Sequence, residues 1–178
     1  MRPPPGGGAL PDITDIVLDE HETFRRRFAE LDDKRAAGAG RAVLEGLWRP
    51  LANLLERHAA AEEELFYPRL LQKGANAEEE TEDAISDHND IRAAIARAAD
   101  EVAGGEKWWR AVLDARNANS DHMAEEEREA FPDFREHVDM KTRAELGEAW
   151  LRYAEEHAGA RGLELEQEDP EEYIEEHS

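Results

Sequence analysis

The stretch HAAAEEELFYP, from His58 to Pro68, returns almost letter for letter as HMAEEEREAFP, from His122 to Pro132. Each copy carries a histidine, glutamates at +4 and +5, an aromatic residue at +9 and a proline at +10. On an α-helix, residues four apart lie on one face about one turn apart, so His58 and Glu62 can reach a single point, as can His122 and Glu126. In a chain with 44 acidic residues, one such pair fits a solvated helix face. Two copies in register demand a fold with two equivalent halves.

The remaining sequence supplies those halves as helices. Alanine, leucine, glutamate and arginine dominate and strand signals are nearly absent. Breakers at AAGAG (36–40), KGAN (73–76) and AGGE (103–106) divide the chain into four long segments, roughly Pro11–Ala36, Arg41–Gln72, Ala77–Ala103 and Glu106–Val138. Apolar stripes of helical period run through them: Ile16, Phe24, Phe28 and Leu31; Leu47, Leu51, Leu54 and Leu55; Ile91 and Ile95; Trp109, Val112 and Leu113. Short loops between long helices make neighbours antiparallel, which predicts an all-α, up-down-up-down four-helix bundle over residues 11–138. Pro50, Pro68 and Pro132 should each kink a helix or mark a local restart, because proline lacks the backbone donor and clashes with the preceding turn. An additional C-terminal helix is expected over 139–158, with Leu146, Ala149, Trp150, Tyr153 and Ala154 on one face, packed on the bundle or forming a dimer contact. Residues 1–10 read as a flexible leader and 159–178 as a mobile acidic tail.

A second repeat falls on the other two helices. DEHETFRRRF around His21 and SDHNDIRAAI around His88 share an acid, a histidine, an apolar residue at +3, arginine at +4 and an apolar residue at +7. The order is thus His, His-x3-Glu-Glu, His, His-x3-Glu-Glu, one element per helix. Counted from the glycine turns, all four histidines and both +4 glutamates agree in height to within about one helical turn. His21 and His88 lead their apolar stripes, and His58 follows Leu51, Leu54 and Leu55. The polar run ARNANSDHM before His122 makes that position the least inward-pointing of the four.

Charge and composition limit what such a layer can do. The formal net charge is −22, which repels phosphates and argues against nucleic acid or an anionic membrane as partner. There is no cysteine, so disulfides, iron–sulfur clusters and thiolate zinc sites are excluded, and any metal must take nitrogen and oxygen ligands. The start has no apolar signal segment and no run spans a bilayer, so a soluble cytoplasmic protein is expected. Four histidines and two carboxylates in one buried layer are costly unless paired. A layer of His–Glu pairs without metal is one solution. Metal coordination by His21, His58, Glu62, His88, His122 and Glu126 is the other, and the doubled pattern points to two ions among iron, manganese and zinc.

At these residues the sequence resembles the hemerythrin-like family, the HHE cation-binding domains, from about Ile13 to Val138. The resemblance implies a non-haem di-iron centre in the bundle core. It implies that His21 and His58 serve one iron, that His88 and His122 serve the other, and that Glu62 and Glu126 bridge them; spacing alone does not assign these pairs. Oxygen-carrying hemerythrins have a fifth histidine one turn after the third-helix histidine, where this chain has Arg92, with Arg25 at the equivalent place in the first helix. A guanidinium does not ligate, so the resemblance implies a balanced set with open positions on both ions. Glu63 and Glu127 read as solvated or supporting residues, with direct ligation the lesser alternative.

The resulting expectation is a di-iron protein, monomeric or a homodimer, that binds or reacts with oxygen, peroxide or nitric oxide. The alternatives are a non-catalytic iron-binding or sensing module and a structural zinc or manganese site. Tyr67 reads as a packing residue with a redox role as the alternative, and Trp108 and Trp109 as packing at the bundle end. His137, His157 and His177 lack the +4 glutamate and fall outside the layer.

Overall fold

The computed structural model describes residues 11–178; the leader expected over 1–10 lies outside the described residues. Asp12 caps the first helix, its carboxylate accepting from the Thr14 amide at 2.9 Å. From there α1 runs Ile13–Ala36, α2 Arg41–Ala61, α3 Tyr67–Lys73, α4 Ala77–Ala99, α5 Glu106–Glu125, α6 Phe131–His137, α7 Met140–Glu156 and α8 Pro170–His177. No strand occurs among the described residues. The four bundle members are α1, α2 with α3, α4, and α5 with α6. No helix of the described residues is long and apolar enough to cross a membrane.

The prolines explain why two members are each split. Single π-turns, Glu62–Phe66 and Glu126–Ala130, join α2 to α3 and α5 to α6. Each is closed by a bond spanning five residues: Tyr67 N–H to the Glu62 carbonyl, and Phe131 N–H to the Glu126 carbonyl. The next residues are Pro68 and Pro132, which cannot donate and whose rings would strike an ordinary α-helical carbonyl; one widened turn accommodates both problems. Pro50 marks no restart. It lies inside the uninterrupted α2, on an exposed face above exposed Gly46, so the carbonyl it leaves unpaired faces water.

The core is two apolar clusters with a polar layer between them. One contains Phe24, Phe28, Leu31, Trp48, Leu51, Leu55, Ile91, Ile95, Trp108 and Val112. The other contains Ile13, Val17, Phe66, Tyr67, Leu70, Ile85, Phe131, Phe134 and Trp150. The fourth stripe is rotated from its expected phase: Leu113 is exposed, and Trp108 and Ala111 take the inward places. Trp108 packs edge-on against Trp48 and Trp109.

The C-terminal segments cover one flank. Helix α7 packs against α1, α2 and the first π-turn, burying Gly147, Trp150 and Tyr153. The mobile tail expected beyond residue 158 is corrected by α8, which Asp169 caps and Pro170 begins. Tyr173 supplies the burial that the composition concealed, and its hydroxyl donates to the Glu63 carbonyl. Asn89 closes a two-way bond with the Glu168 backbone, at 2.7 and 3.0 Å.

Gly147 lets α7 approach α1, since a Cβ there would sit 1.9 Å from the Pro11 carbonyl oxygen, whereas one at Gly46 would meet nothing within 4 Å. Gly147→Ala is therefore expected to destabilise the protein by about 1–3 kcal/mol through overpacking. The same change at Gly46, in an exposed helix interior, should stabilise it by roughly 0.5–1 kcal/mol. Urea denaturation of both variants checks the opposite signs.

Candidate metal centre

All six residues marked by the repeat meet in the layer between the two apolar clusters. His21, His88 and Glu62 are fully buried, and His58, His122 and Glu126 are no more than 2 % exposed. His122, the weakest of the four by pattern, lies on a buried face, with Asn119 and Ala115, one and two turns earlier, also buried. The Asn119 amide is accommodated against the Met123 sulfur at 3.5 Å.

The layer divides into two groups. The candidate ligand atoms of His21, His58, Glu62 and Glu126 lie within 4.8 Å of one another, and so do those of Glu62, His88 and His122. Nε2 of His58 stands 2.9 Å from Glu62 Oε1, and Nε2 of His21 stands 3.2 Å from Glu126 Oε2. In the other group, His88 Nε2 and His122 Nε2 stand 3.1 and 3.3 Å from Glu62 Oε2. His122 Nε2 also lies 3.4 Å from Glu126 Oε2.

Short separations are not the same as satisfied hydrogen bonds. His21 Nε2, His58 Nε2, Glu62 Oε1 and Glu126 Oε2 are all buried without a hydrogen-bond partner. They belong to the four residues of the first group, whose candidate ligand atoms lie within 4.8 Å of one another. Leaving four such atoms dry costs about 1–3 kcal/mol each, and a cation with nitrogen and oxygen ligands removes that cost. The residues present fit a metal.

Each imidazole is held from behind by a carboxylate. His21 Nδ1 pairs with Glu127 at 2.9 Å, His58 Nδ1 with Glu20 at 2.8 Å and His88 Nδ1 with Glu63 at 2.8 Å. His122 Nδ1 faces Asp87 more loosely, at 3.9 Å. A carboxylate accepting from Nδ1–H fixes the tautomer that leaves the Nε2 lone pair facing the layer. Glu63 and Glu127 are therefore supporting residues. Arginines one turn after His21 and His88 bind these same carboxylates: Arg25 donates to Glu127 at 2.7 Å and Arg92 to Glu63 at 2.6 Å.

The pattern is doubled in space as it is in sequence. The acid before the histidine on one helix holds the histidine of the next: Glu20 holds His58, and Asp87 faces His122. Glu20 also accepts from Arg57 at 2.7 Å and from Trp150 Nε1 at 3.2 Å, so α7 reaches the support of His58. The acid–His dipeptides at 20–21 and 87–88 carried the signal for Glu20 and Asp87. Nothing in the repeat signalled Arg57, Trp150 or Tyr173.

Charge balances within this network. Burial would raise the Glu20 carboxyl, but the bond and charge of His58, with Arg57 behind them, bring it down to about 2. Burial would lower the His58 imidazole, yet Glu62 and Glu20 raise it to about 10. His88 likewise rises to about 9 against its burial, through Glu62 and Glu63. Without a cation, protons do part of its work.

The +9 position breaks the symmetry. Tyr67 is fully buried and donates to Glu126 Oε1 at 2.6 Å. Its counterpart Phe131 stacks on His21, with ring centroids 5.8 Å apart. His137, His157 and His177 bond to the backbone carbonyls of Asp133, Arg161 and Tyr173, away from the layer.

No curated protein and no solved structure matches the chain. The profile of the hemerythrin HHE cation binding domain matches residues 12–134, most of the chain, including α1 to α5 and both π-turns. With the doubled His and His-x3-Glu pattern gathered between those helices, the chain belongs to the hemerythrin HHE cation-binding domain family.

Proposed function

We propose that this metal-binding hemerythrin-like protein holds a non-haem di-iron centre and binds or reacts with oxygen, peroxide or nitric oxide. One ion would be held by His21 and His58, the other by His88 and His122, with Glu62 and Glu126 between them. The observation that carries this reading is the gathering of four histidines and two glutamates from all four bundle members in one buried layer, where four of their inward nitrogen and oxygen atoms have no hydrogen-bond partner. Bound iron would supply redox electrons and vacant positions for a small ligand.

The chain's own residues would set the conditions. Glu127, Glu20 and Glu63 hold Nδ1 protons and so aim three imidazoles inward. Arg25 and Arg92 compensate the charge of two of those carboxylates. Phe24, Phe131 and Trp150 pack against His58 and His21 and exclude bulk water from that side. Tyr67 keeps its proton, because burial and the nearby Glu126 and Glu62 charges push its hydroxyl well above its ordinary range. It therefore acts as a hydrogen-bond donor to Glu126.

A non-catalytic iron-binding or sensing module would use the same residues. The attachment of α7 and α8 to the supports of His58 and His88, through Trp150 and Tyr173, favours it as the second reading. Elemental analysis of the untagged protein decides the metal first: two irons per chain support the di-iron centre, and zinc or manganese would replace it with a structural site. Rapid peroxide turnover by the iron form supports the reactive reading, whereas a large iron-dependent rise in melting temperature without turnover supports sensing.

Glu62→Ala and Glu126→Ala should each lower metal content more than Glu63→Ala, and equal retention in all three would overturn the bridging assignment. Glu20→Gln keeps the shape but removes the charge behind His58, and is expected to weaken metal affinity about 10–100-fold in competition titrations.

Proton release offers a separate check. His58 and His88 titrate at about 10 and about 9 without metal, so both hold their extra proton at neutral pH. Metal must expel those protons, and affinity should climb as pH rises through the neutral range. Calorimetry in two buffers of different ionisation enthalpy should report about two protons released per chain at pH 7. The metal-free protein should also lose stability progressively as pH rises from about 6.5, the ordinary histidine value, to the raised values of about 9 and about 10, because the folded state alone keeps those protons over that range.

A further inference from the structure

Between α4 and α6 lies a basin of about 480 Å³, lined by Glu79, Glu80, Asp83, Glu129, Asp133 and Glu136 among others. A narrower cavity of about 20 Å³ lies deeper, bounded by Tyr67, His122 and Glu126. Glu80, Asp83 and Glu129 line both, so the two adjoin, and together they outline a funnel that narrows from the surface toward the histidine–glutamate layer. No lysine or arginine lines either part. The basin's one basic side chain, His137, is neutralised by Asp133 at 2.6 Å.

We propose that this funnel is the route by which small divalent cations reach the layer, with Glu80, Asp83 and Glu129 passing the ion to Glu126 and His122. This rests on the reading of the layer as a metal centre and adds where the metal comes in. Two atoms mark the path as one for a cation: Glu80 Oε2, midway, and Glu126 Oε2, at its inner end, are both buried without a partner. The throat has room for about one water, so a hydrated ion must exchange waters for carboxylate oxygens as it passes. Glu80 is also crowded enough to resist ionisation. Burial, and then Asp133, Glu129 and Glu79, raise Glu80 to about 7. An arriving cation relieves that repulsion. The acidic cleft beneath α8 reaches only Glu63, whose two oxygens are already taken by His88 and Arg92.

Stopped-flow uptake of Co²⁺ by the metal-free full-length chain, followed by cobalt visible absorbance, tests the route. The variant carrying Glu80→Gln, Asp83→Asn and Glu129→Gln should load about tenfold more slowly, as expected when electrostatic focusing is lost. Its final cobalt per chain should equal that of the unmodified protein. Asp83→Arg, a single change at an exposed position, should slow loading in the same direction and guards against misfolding of the triple variant. A control carrying Glu164→Gln, Glu172→Gln and Glu176→Gln removes the same charge from the α8 cleft and should load at the unmodified rate. Unchanged rates in the funnel variants, or equal slowing in the control, would overturn the route while leaving the metal centre intact. Failure of the unmodified protein to take up cobalt would instead overturn the metal centre itself, and the route with it.

Discussion

The structure depends on the cost of putting four imidazoles and two carboxylates in the middle of an apolar bundle. Phe24, Leu55 and Ile91 lie on one side of that layer, and Val17, Phe66 and Ile85 on the other. Neither water nor a surface charge can reach in to satisfy it from all sides. Each polar atom must therefore find a partner inside the protein or share a bound cation. The Nδ1 atoms of His21, His58 and His88 take the first solution, whereas Nε2 of His21 and of His58 has no partner within the protein. The surrounding carboxylates, their arginines and the two C-terminal helices follow from the need to hold those rings in place.

The π-turns belong to the same constraint. The +4 glutamate must point into the layer, the +5 glutamate must reach the back of a neighbouring imidazole, and the proline at +10 forbids an ordinary helical ladder. Opening one turn between the glutamate and the proline lets Glu62 and Glu63 both be buried with different partners. In the second copy Glu126 goes inward, while Glu127 supports His21. The proline serves as the local reason why a wide turn occurs immediately after each inward glutamate.

Much of this was legible in the sequence because the layer is written in spacings, and spacings survive folding. Four helices, the common height of His21, His58, His88 and His122, and the inward direction of Glu62 and Glu126 all follow from helical period and loop position. Lateral neighbours do not. That Glu20 faces His58, across the α1–α2 interface, depends on the rotation of each helix about its axis, which the apolar stripe sets only to within a residue; Leu113, which turned outward, shows that margin. The tail was misread for a related reason. In residues 159–178 one buried tyrosine, one capped start at Asp169 and one asparagine on another helix outweigh an acidic composition that taken alone reads as disorder.

The two halves of the duplicated site are no longer equivalent, and the departures all fall on the same side. Where the first copy has Tyr67, the second has Phe131. Where Glu20 grips His58 at 2.8 Å, Asp87, one methylene shorter, stands 3.9 Å from His122. Where Trp150 closes over His58, the corresponding flank at His122 opens into the acidic funnel. A half closed by Trp150 beside a half with a hydroxyl donor, a loose support at His122 and an acidic pocket is the asymmetry that the proposed cation route would use. Repetition in the sequence places the paired histidines and glutamates in one layer, and the differences at +9 and at the acid before each histidine make its two ends unlike.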